Sequence, residues 1–420
     1  MTRDAAPQAS DRRGPNAKQE ILPTVKERPG RVLFFFSLGF DVPSPSLHLM
    51  EAMVEDSLRA GWRVHIIAAH TEGTYPDIPE HLRSSARLTW DIVSQPSVTK
   101  SAFVRRYLSG MTYALRCTPR LWNADSDLVY IQSSPTALYN ILVAKATCRG
   151  KPIIYSIQDM FPGSSIHSGV MTRRWMQRIF FRLQKLAYAS ANHITVISED
   201  MKQRVIEQGV ADNKVSVIVN WFDDSALHEI AWEQNRFVES QGLSRDTFYV
   251  QYAGTMGYVF DYEMVLRVAQ ILKPHQDIEF QMIGAGSQKA EFEQRARESG
   301  LDNIRFYPLQ PQEMVGDVYS AASVCLIPLK RGVIGNSVPS KMALIMACNR
   351  VVINSVDEDS QYARMFEENE IGLSISNTDP SEVAKAIVRL RTDDRLRIRL
   401  AQNALAFSST VYARSVNTAK

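Results

Sequence analysis

Short apolar runs alternate with amphipathic stretches along the first half of the chain, beginning near Arg31. A strand-length apolar run indicates a buried strand, and apolar residues three or four positions apart indicate one face of a helix. Strands that alternate with helices predict a parallel, doubly wound sheet. The predicted strands are 31–36, 63–68, 127–132, 152–157 and 193–197, and the predicted helices between them are 47–60, 137–147 and 172–189.

The same alternation restarts in the second half of the chain and predicts a second Rossmann-like sheet. Its strands are expected at 249–253, 278–283, 304–307, 324–328 and 350–354. Its helices are expected at 262–272, 288–299 and 312–322, and two closing helices at 381–392 and 394–407.

A polar run, DDSALHE, separates the two halves, and 420 residues are too many for one compact core. We therefore expect a disordered polar tail over 1–30, an N-terminal domain over 31–222, a C-terminal domain over 223–395 and a terminal helix over 396–420. Whether that last helix crosses back to the first domain is left open.

Composition excludes several classes of protein. A formal net charge of +3 gives no nucleic-acid signature. The four cysteines are widely spaced, which favours reduced packing residues in a cytoplasmic protein over zinc or disulfide sites. The N-terminus lacks the apolar core of a signal peptide, and no window approaches the roughly 20 apolar residues of a spanning helix. Any membrane role is expected to be peripheral, at the inner face of the cell membrane.

Ligands of doubly wound sheets bind beyond the carboxyl ends of the strands. The loop after the first strand, SLGFDVPSPS, is not GxGxxG, which argues against a conventional NAD site. Two strands of the second half end in glycine turns, GTMG at 254–257 and GAG at 284–286, where a backbone can approach a phosphate. Each turn alone is more often a plain strand-to-helix connection; together they favour a ligand.

The segment GNSVPSKMALIMACNRVVI at 335–353 predicts a small polar loop, a helix and a buried strand. Pro339 suits the first helical turn, and Ser337, Ser340 and Lys341 crowd the same place. Free amides, hydroxyls and an ammonium at a helix start favour an anion such as a diphosphate. An ordinary capped helix before a strand is the alternative.

Several charged residues follow strands at the presumed cleft. Lys330 and Arg331 could compensate a diphosphate or be ordinary surface cations. Asp159 could accept a proton or orient a sugar hydroxyl, or cap a helix. Glu358, within the triplet DED, could hold ribose or sugar hydroxyls or lie in a solvated turn. The triplet DSD at 125–127 precedes a strand and is predicted to be structural.

Two segments, 97–122 and 171–189, carry basic residues among aromatic and aliphatic ones without any acidic residue. Basic amphipathic helices with aromatics suit an anionic membrane surface. The alternative is that the apolar stripes pack on the sheet while the cations are simply solvated. The residues predicted to face the membrane are Arg105, Arg106, Arg173, Arg174, Trp175 and Arg178.

An ordered set of landmarks resembles the family-4 retaining glycosyltransferases of GT-B fold, especially the branch that builds bacterial O-antigen, capsule and exopolysaccharide repeats. The landmarks run from DLVYIQSSPTALYNILVAK through QDMFPGSSIHSG, HITVISEDMKQRVIEQGV, KVSVIVNWFD, YAGTMG, MIGAG and NIRFYPLQPQEMVGDVYSAASVCLIPL to SVPSKMALIMACNRVVINS. The set spans nearly everything from residue 31 to about residue 400.

The resemblance implies two Rossmann-like domains facing across a cleft, the first binding the acceptor and the second a nucleotide-sugar. It implies transfer of a sugar, with retained configuration, to a polyprenyl-diphosphate-linked saccharide, without an obligatory metal or other cofactor. A UDP-N-acetylhexosamine is the donor expected from that branch. The expected catalytic residues are Asp159, Lys341 and Arg331. The expected donor-binding residues are Gly254, Thr255, Met256, Gly257, Gly284, Gly286, Tyr307, Leu309, Lys330, Asn336, Ser337, Val338, Ser340 and Glu358.

Two departures from the family pattern matter. The family often carries Glu-x7-Glu across the loop and helix, where Asn336 and Leu344 stand here, and Glu358 is our candidate substitute. The basic residues that often follow the GTMG glycines are also missing, which shifts phosphate binding towards Lys330, Arg331 and Lys341. A nucleotide-sugar 2-epimerase of the same fold and an inactive GT-B partner subunit are the alternative functions.

Overall fold

The computed structural model describes residues 30–40, 47–71, 78–96, 103–134, 136–167, 169 and 171–420, in places without the side chain. The expected tail over 1–30 therefore lies, apart from Gly30, outside the described residues. Two wholly parallel sheets, of 7 and 6 strands, confirm the predicted α/β fold class. The first sheet runs in the order β3-β2-β1-β4-β5-β6-β7. Its strands are β1 (Arg31–Phe35), β2 (Arg63–Thr71), β3 (Leu88–Gln95), β4 (Leu128–Gln132), β5 (Ile153–Ile157), β6 (His193–Val196) and β7 (Val215–Val217).

The second sheet has the order β10-β9-β8-β11-β12-β13. Its strands are β8 (Phe248–Thr255), β9 (Ile278–Ala285), β10 (Ile304–Tyr307), β11 (Val324–Pro328), β12 (Val352–Val356) and β13 (Gly372–Ser376). In each sheet the order reverses beside the first strand of the domain, β1 or β8, and such a switch point is where open α/β sheets bind ligands.

Helices cover both faces of the sheets. They are α1 (Leu47–Arg59), α2 (Glu80–Arg83), α3 (Phe103–Arg116), α4 (Thr118–Asn123), α5 (Ala137–Thr147), α6 (Gly163–His167), α7 (Arg174–Ser190), α8 (Glu199–Glu207), α9 (Arg236–Gln241), α10 (Tyr262–Leu272), α11 (Lys289–Glu298), α12 (Val315–Ser320), α13 (Lys341–Ala347), α14 (Gln361–Glu368), α15 (Pro380–Thr392), α16 (Asp394–Val411) and α17 (Arg414–Asn417).

Strand β1 shows why these apolar runs form central strands. Leu33 and Phe35 point to one face and pack with α3, α5 and α7, while Val32 and Phe34 point to the other and pack with α1. Because both faces of a parallel sheet are buried, its inner strands are apolar at successive positions rather than at alternate ones.

Three strands were not predicted from the sequence: β3, β7 and β13. Each lies at the edge of its sheet, and each has few fully buried positions. The apolar run that reveals a central strand is therefore weak or missing in them. The structure also corrects the predicted start of the helix after the SVPSK loop, because α13 begins at Lys341 and Pro339 precedes it.

The end of the chain lies against the first domain. Phe222 and Ala413 form a parallel bridge, in which the Phe222 N–H donates to the Tyr412 carbonyl at 3.0 Å. The Arg414 guanidinium then reaches α1, with Nη2 at 2.6 Å from Glu55 Oε2 and 2.7 Å from Asp56 Oδ1. These contacts tie the two domains together at the side where the chain passes between them.

Candidate active site

Lys341, the first residue of α13, lies against the glycine turn that ends β8. Its Nζ is 3.2 Å from the hydroxyl oxygen of Tyr252 and 4.5 Å from the centre of that ring. Tyr252 is buried, and its hydroxyl donates to the Thr255 carbonyl at 2.7 Å. A Cβ on Gly254 would lie 2.9 Å from Lys341 Cε. The structure thus brings together the GTMG turn and the SVPSK lysine, which are far apart in sequence.

The two glycine turns also touch each other. A Cβ on Gly284 would overlap the Gly254 carbonyl, and one on Gly286 would overlap the Met256 carbonyl. Both glycines have positive φ, so a side chain would also strain the backbone there. Loop packing therefore accounts for Gly284 and Gly286 whether or not a ligand binds. Met256, predicted to bind the donor, is fully buried.

Lys289 connects the second glycine turn to the loop after β10. Its Nζ donates to the Gly284 carbonyl at 2.8 Å and to the Tyr307 carbonyl at 2.7 Å. Tyr307 is half-buried, whereas Leu309 is 64% exposed. These two residues, both expected to bind the donor, therefore lie on a loop that is held to the Gly284–Gly286 turn.

Lys330 lies at the same end of the sheet as the GTMG turn. Its backbone N–H donates to the Val259 carbonyl at 3.0 Å. With the Gln288 amide assigned in the orientation that satisfies its neighbours, Gln288 accepts from Lys330 Nζ at 3.0 Å and donates to the Gly257 carbonyl at 2.6 Å. Arg331 is exposed and lines an interdomain cavity of about 970 Å³, whose other lining residues include Met160 and Asn336.

Asp159 meets the second domain across the cleft. The Ser337 side chain lies beside its carboxylate, and the next amide, Met160 N–H, donates to the Asn336 carbonyl at 2.9 Å. Although Asp159 is open to the cleft, atoms of the protein surround it closely. Desolvation by these atoms raises the pKa of the Asp159 carboxyl, while the Ser337 hydrogen bond opposes that rise. The pKa of Asp159 is therefore raised relative to that of an ordinary aspartate.

Asn336 and Val338 belong to the domain interface rather than to an open ligand surface. Asn336 is 4% exposed; its Oδ1 accepts from Arg204 Nη1 at 3.0 Å, and its Nδ2 donates to the Gly332 carbonyl at 3.0 Å. Val338 packs against core residues of both domains. Ser340 is exposed just before α13 and makes no side-chain capping bond.

In the two acidic triplets, DED and DSD, some carboxylates bind other parts of the protein and others are exposed. Both oxygens of Asp357 accept from the Gly332 N–H, at 3.0 and 2.9 Å, which holds the loop before Asn336. Its neighbour Glu358 is exposed. In the first domain Asp127 accepts from Arg31 Nη2 at 2.9 Å and Asp125 also pairs with Arg31, so DSD anchors the start of β1. Within the described ranges, no group of three or more His, Cys, Asp or Glu residues could hold a metal ion.

The two basic segments form neighbouring helices on one face of the first domain. Tyr107 of α3 and Phe180 of α7 are in ring contact, with centroids 4.6 Å apart. The cations Arg105, Arg173, Arg174 and Arg178 are exposed, while the Arg106 side chain lies outside the described residues. Large apolar side chains are exposed beside them: Leu108, Met111, Leu115, Trp122, Trp175, Ile179, Phe181 and Leu186. The described helices include none that is long and apolar enough to cross a bilayer.

Sequence patterns gave no sign of four residues that organise these loops. Tyr252 belongs to a buried strand, and its sequence context predicts only a core residue. Gln288, Lys289 and Arg204 are polar residues at or near helices, where solvent exposure is the ordinary expectation. Only the folded geometry shows that each one joins loops at the cleft.

Comparison with known proteins places the chain in a family. Residues 48–226 match the sequence profile of Glycosyltransferase Family 4, and residues 233–407 match that of glycosyl transferases group 1. The chain is 23% identical over 295 residues to a probable glycosyltransferase, WbjE, of Pseudomonas aeruginosa, covering 70% of this chain and 73% of that protein. It is 25% identical over 280 residues to the putative colanic acid biosynthesis glycosyl transferase WcaI of Escherichia coli K12, covering 66% and 68%.

Solved structures share the architecture. Anabaena Alr3699/HepE, solved in complex with UDP-glucose, superposes with a TM-score of 0.67 at 15% identity, covering 93% of this chain and 97% of that one. At such low identity the likeness concerns the fold alone. Two parallel-sheet domains, the paired profiles and the glycosyltransferase relatives agree with one another, and the chain belongs to the family-4 glycosyltransferases of GT-B fold.

Proposed function

We propose that this glycosyltransferase moves a sugar, with retained configuration, from a nucleotide-sugar to a polyprenyl-diphosphate-linked saccharide in surface polysaccharide synthesis. The observation that carries the proposal is the placement of Lys341 on the GTMG turn, with Asp159 held across the cleft by the adjoining loop. A cation beside open glycine backbone suits a diphosphate. WcaI is named for colanic acid biosynthesis, which supports a polysaccharide product.

The donor is proposed to be a nucleotide-sugar, of the UDP-N-acetylhexosamine type. HepE, which shares this fold, was solved with UDP-glucose. When the glycosidic bond to the diphosphate breaks, negative charge grows on the leaving group. Lys341 lies within reach of the GTMG backbone, and Lys330 lies at the same end of the sheet, so preorganised positive charge would stabilise the departing diphosphate. We propose that this charge replaces an obligatory metal.

Asp159 is proposed to act beside the reacting sugar. Its raised pKa favours uptake of a proton, which is the property required of a group that assists an acceptor hydroxyl. The Met160 N–H beside it donates to the Asn336 carbonyl of the donor domain, so the position of Asp159 depends on the approach of the two domains. Glu358 is exposed, and its proposed contact with donor hydroxyls would require the ligand to extend over that turn.

The exposed face of α3 and α7 is proposed to rest on an anionic membrane surface. Most side chains of a solvated helix face are polar, whereas Trp175, Ile179 and Leu186 are 58%, 45% and 55% exposed among arginines and a lysine. Aromatic and aliphatic side chains would enter the headgroup region while the cations attract anionic lipids. This arrangement would place the acceptor domain next to a lipid-linked substrate.

A panel of UDP-, GDP- and dTDP-sugars, each incubated with and without a polyprenyl-diphosphate-linked saccharide, tests the proposal. We expect transfer with one donor class, only when the lipid acceptor is present, and a product of unchanged anomeric configuration by NMR. Epimerisation of a free nucleotide-sugar would instead support the epimerase alternative. No reaction with any donor, while a known transferase processes the same acceptor, would support an inactive subunit.

A further inference from the structure

Helix α8 of the first domain contacts two segments of the second domain. Arg204 donates from Nη1 to Asn336 Oδ1 at 3.0 Å and from Nη2 to the Ile334 carbonyl at 3.4 Å. One turn earlier, the two carboxylate oxygens of Asp200 accept from the Gln361 and Tyr362 amides, at 2.8 and 2.9 Å. Asp200 therefore caps α14 of the other domain, where a carboxylate is favoured by the free amides and the helix dipole.

Glycines make room for the Arg204 contact on both sides. Gly335 has φ of +89°, and a Cβ there would lie 2.5 Å from Arg204 Nε. A Cβ on Gly163, in the first domain, would lie 2.7 Å from Asn336 Oδ1. A larger residue at either position would displace the guanidinium or the amide, so the close approach of the domains requires both glycines.

The Arg204–Asn336 contact is directly connected to the reacting carboxyl. Asn336 accepts the Met160 N–H through its own carbonyl, and Met160 follows Asp159. The residue after Asn336 is Ser337, whose side chain lies beside the Asp159 carboxylate. Asp357 holds the other end of the same loop through Gly332. A shift of the loop at Asn336 would therefore move the carbonyl that accepts the Met160 N–H, directly beside Asp159.

We propose that Arg204 and Asn336 are positioning residues, which lock the closed cleft and hold Asp159 against the donor-domain loop, and that Asp200 supports them through α14. This inference rests on the proposed transferase function. It also explains the absence of the family's usual glutamate at Asn336: the position binds the opposite domain instead of the donor. A guanidinium that reaches both a side-chain amide and a carbonyl fits this task better than a flexible ammonium.

The experiment compares Arg204→Gln and Asn336→Ala with Arg364→Gln in the full chain. Arg364 lines the same cavity, and among the described residues its side chain donates to the Asp359 carbonyl of its own domain, at 3.1 Å. The rate of amide hydrogen exchange at Met160 reports whether its N–H is still bonded to the Asn336 carbonyl, and this readout does not depend on enzyme activity. Donor kinetics at saturating acceptor report the effect on the reaction, and thermal unfolding shows whether each variant is folded.

We expect faster exchange at Met160 in both lock variants, a fall in kcat of roughly ten- to a hundredfold through a misplaced carboxyl, and a small change in the donor KM. Arg364→Gln should behave as the parent in all three. Unchanged exchange at Met160 in folded variants overturns the lock. Faster exchange with unchanged kcat overturns the positioning role. If the parent chain transfers no sugar at all, the transferase proposal fails, and the exchange data still decide whether the lock exists.

Discussion

The ammonium of Lys341 lies 3.2 Å from the Tyr252 hydroxyl and 4.5 Å from the centre of its ring. A buried tyrosine thus holds the only lysine of α13 beside the GTMG turn. The basic residues that often follow these glycines in the family are missing here, and we propose that Lys341 supplies a cation from a distant loop. The tyrosine hydroxyl is engaged twice, since it also donates to the Thr255 carbonyl.

Tyr252→Phe should reduce kcat/KM for the donor by about tenfold, because one hydrogen bond to a charged group contributes about 1.5 kcal/mol. The ring remains, so the cation–π contact should keep Lys341 near the turn. Tyr319→Phe is the matched control: that buried hydroxyl donates to the Ala253 carbonyl at 3.3 Å. The measurement is steady-state kinetics. An equal fall in kcat/KM for the donor in both variants would show that the Tyr252 hydroxyl does not position Lys341.

Gly254→Ala should weaken donor binding more than it weakens the fold. The new methyl group would press on Lys341 Cε, and φ at this position is +142°. Gly150→Ala provides the control, because φ there is +76° with nothing within 4 Å of the added Cβ. Both should lose about 1 kcal/mol of stability through backbone strain. Donor-induced thermal stabilisation should shrink only in Gly254→Ala; shrinkage in both would contradict the account.

The raised pKa of Asp159 predicts a pH-dependent effect of Asp159→Asn on stability. A carboxyl whose folded-state pKa lies above its unfolded value stabilises the fold fully below about pH 4, and that contribution is lost as pH rises through the raised pKa. Replacing it with an uncharged amide should therefore raise Tm relative to the parent more at about pH 7.5 than at about pH 4. An equal Tm difference at both pH values would mean that the carboxyl is not perturbed.

Removing exposed apolar side chains from α7 should weaken membrane binding. Trp175→Ser with Ile179→Ser should lower co-sedimentation with vesicles containing phosphatidylglycerol by at least about tenfold, since burying each such side chain contributes roughly 1.5–3 kcal/mol. Ile271→Ser with Ile398→Ser is the control, because these side chains are similarly exposed, at 45% and 53%, on the second domain. Comparable losses in the two double variants would indicate a nonspecific effect.

The sequence predicted the central strands and the fold class because parallel strands buried on both faces are continuous apolar runs. β11 illustrates this: all five of its residues, Val324–Pro328, are buried, and the predicted bounds match. Edge strands such as β13 have partly exposed positions and carry no comparable signal. The glycine turns were also found from sequence, because glycine after a strand is a local feature.

Relations between distant residues could not be predicted in the same way. The sequence predicts Lys341 to be a cation for a diphosphate, but nothing local indicates that Tyr252 holds it. The sequence groups Arg331 with Lys341 because it follows β11, but it does not indicate that Arg331 lines an interdomain cavity together with Arg204 and Asn336. Asn336 was expected to bind the donor, although its amide is engaged by Arg204 from the other domain. Side-chain direction and domain approach determine these contacts, and neither has a periodic signature.

The central claim is that Lys341 supplies the charge that stabilises the departing diphosphate. It is tested most directly by sugar transfer to the lipid acceptor from the donor that the panel identifies, comparing the parent with Lys341→Gln and with Lys385→Gln, an exposed lysine of α15. We predict that Lys341→Gln lowers kcat by roughly a hundredfold or more, with the fold intact by thermal unfolding, while Lys385→Gln is unaffected. Full turnover by folded Lys341→Gln would contradict the account.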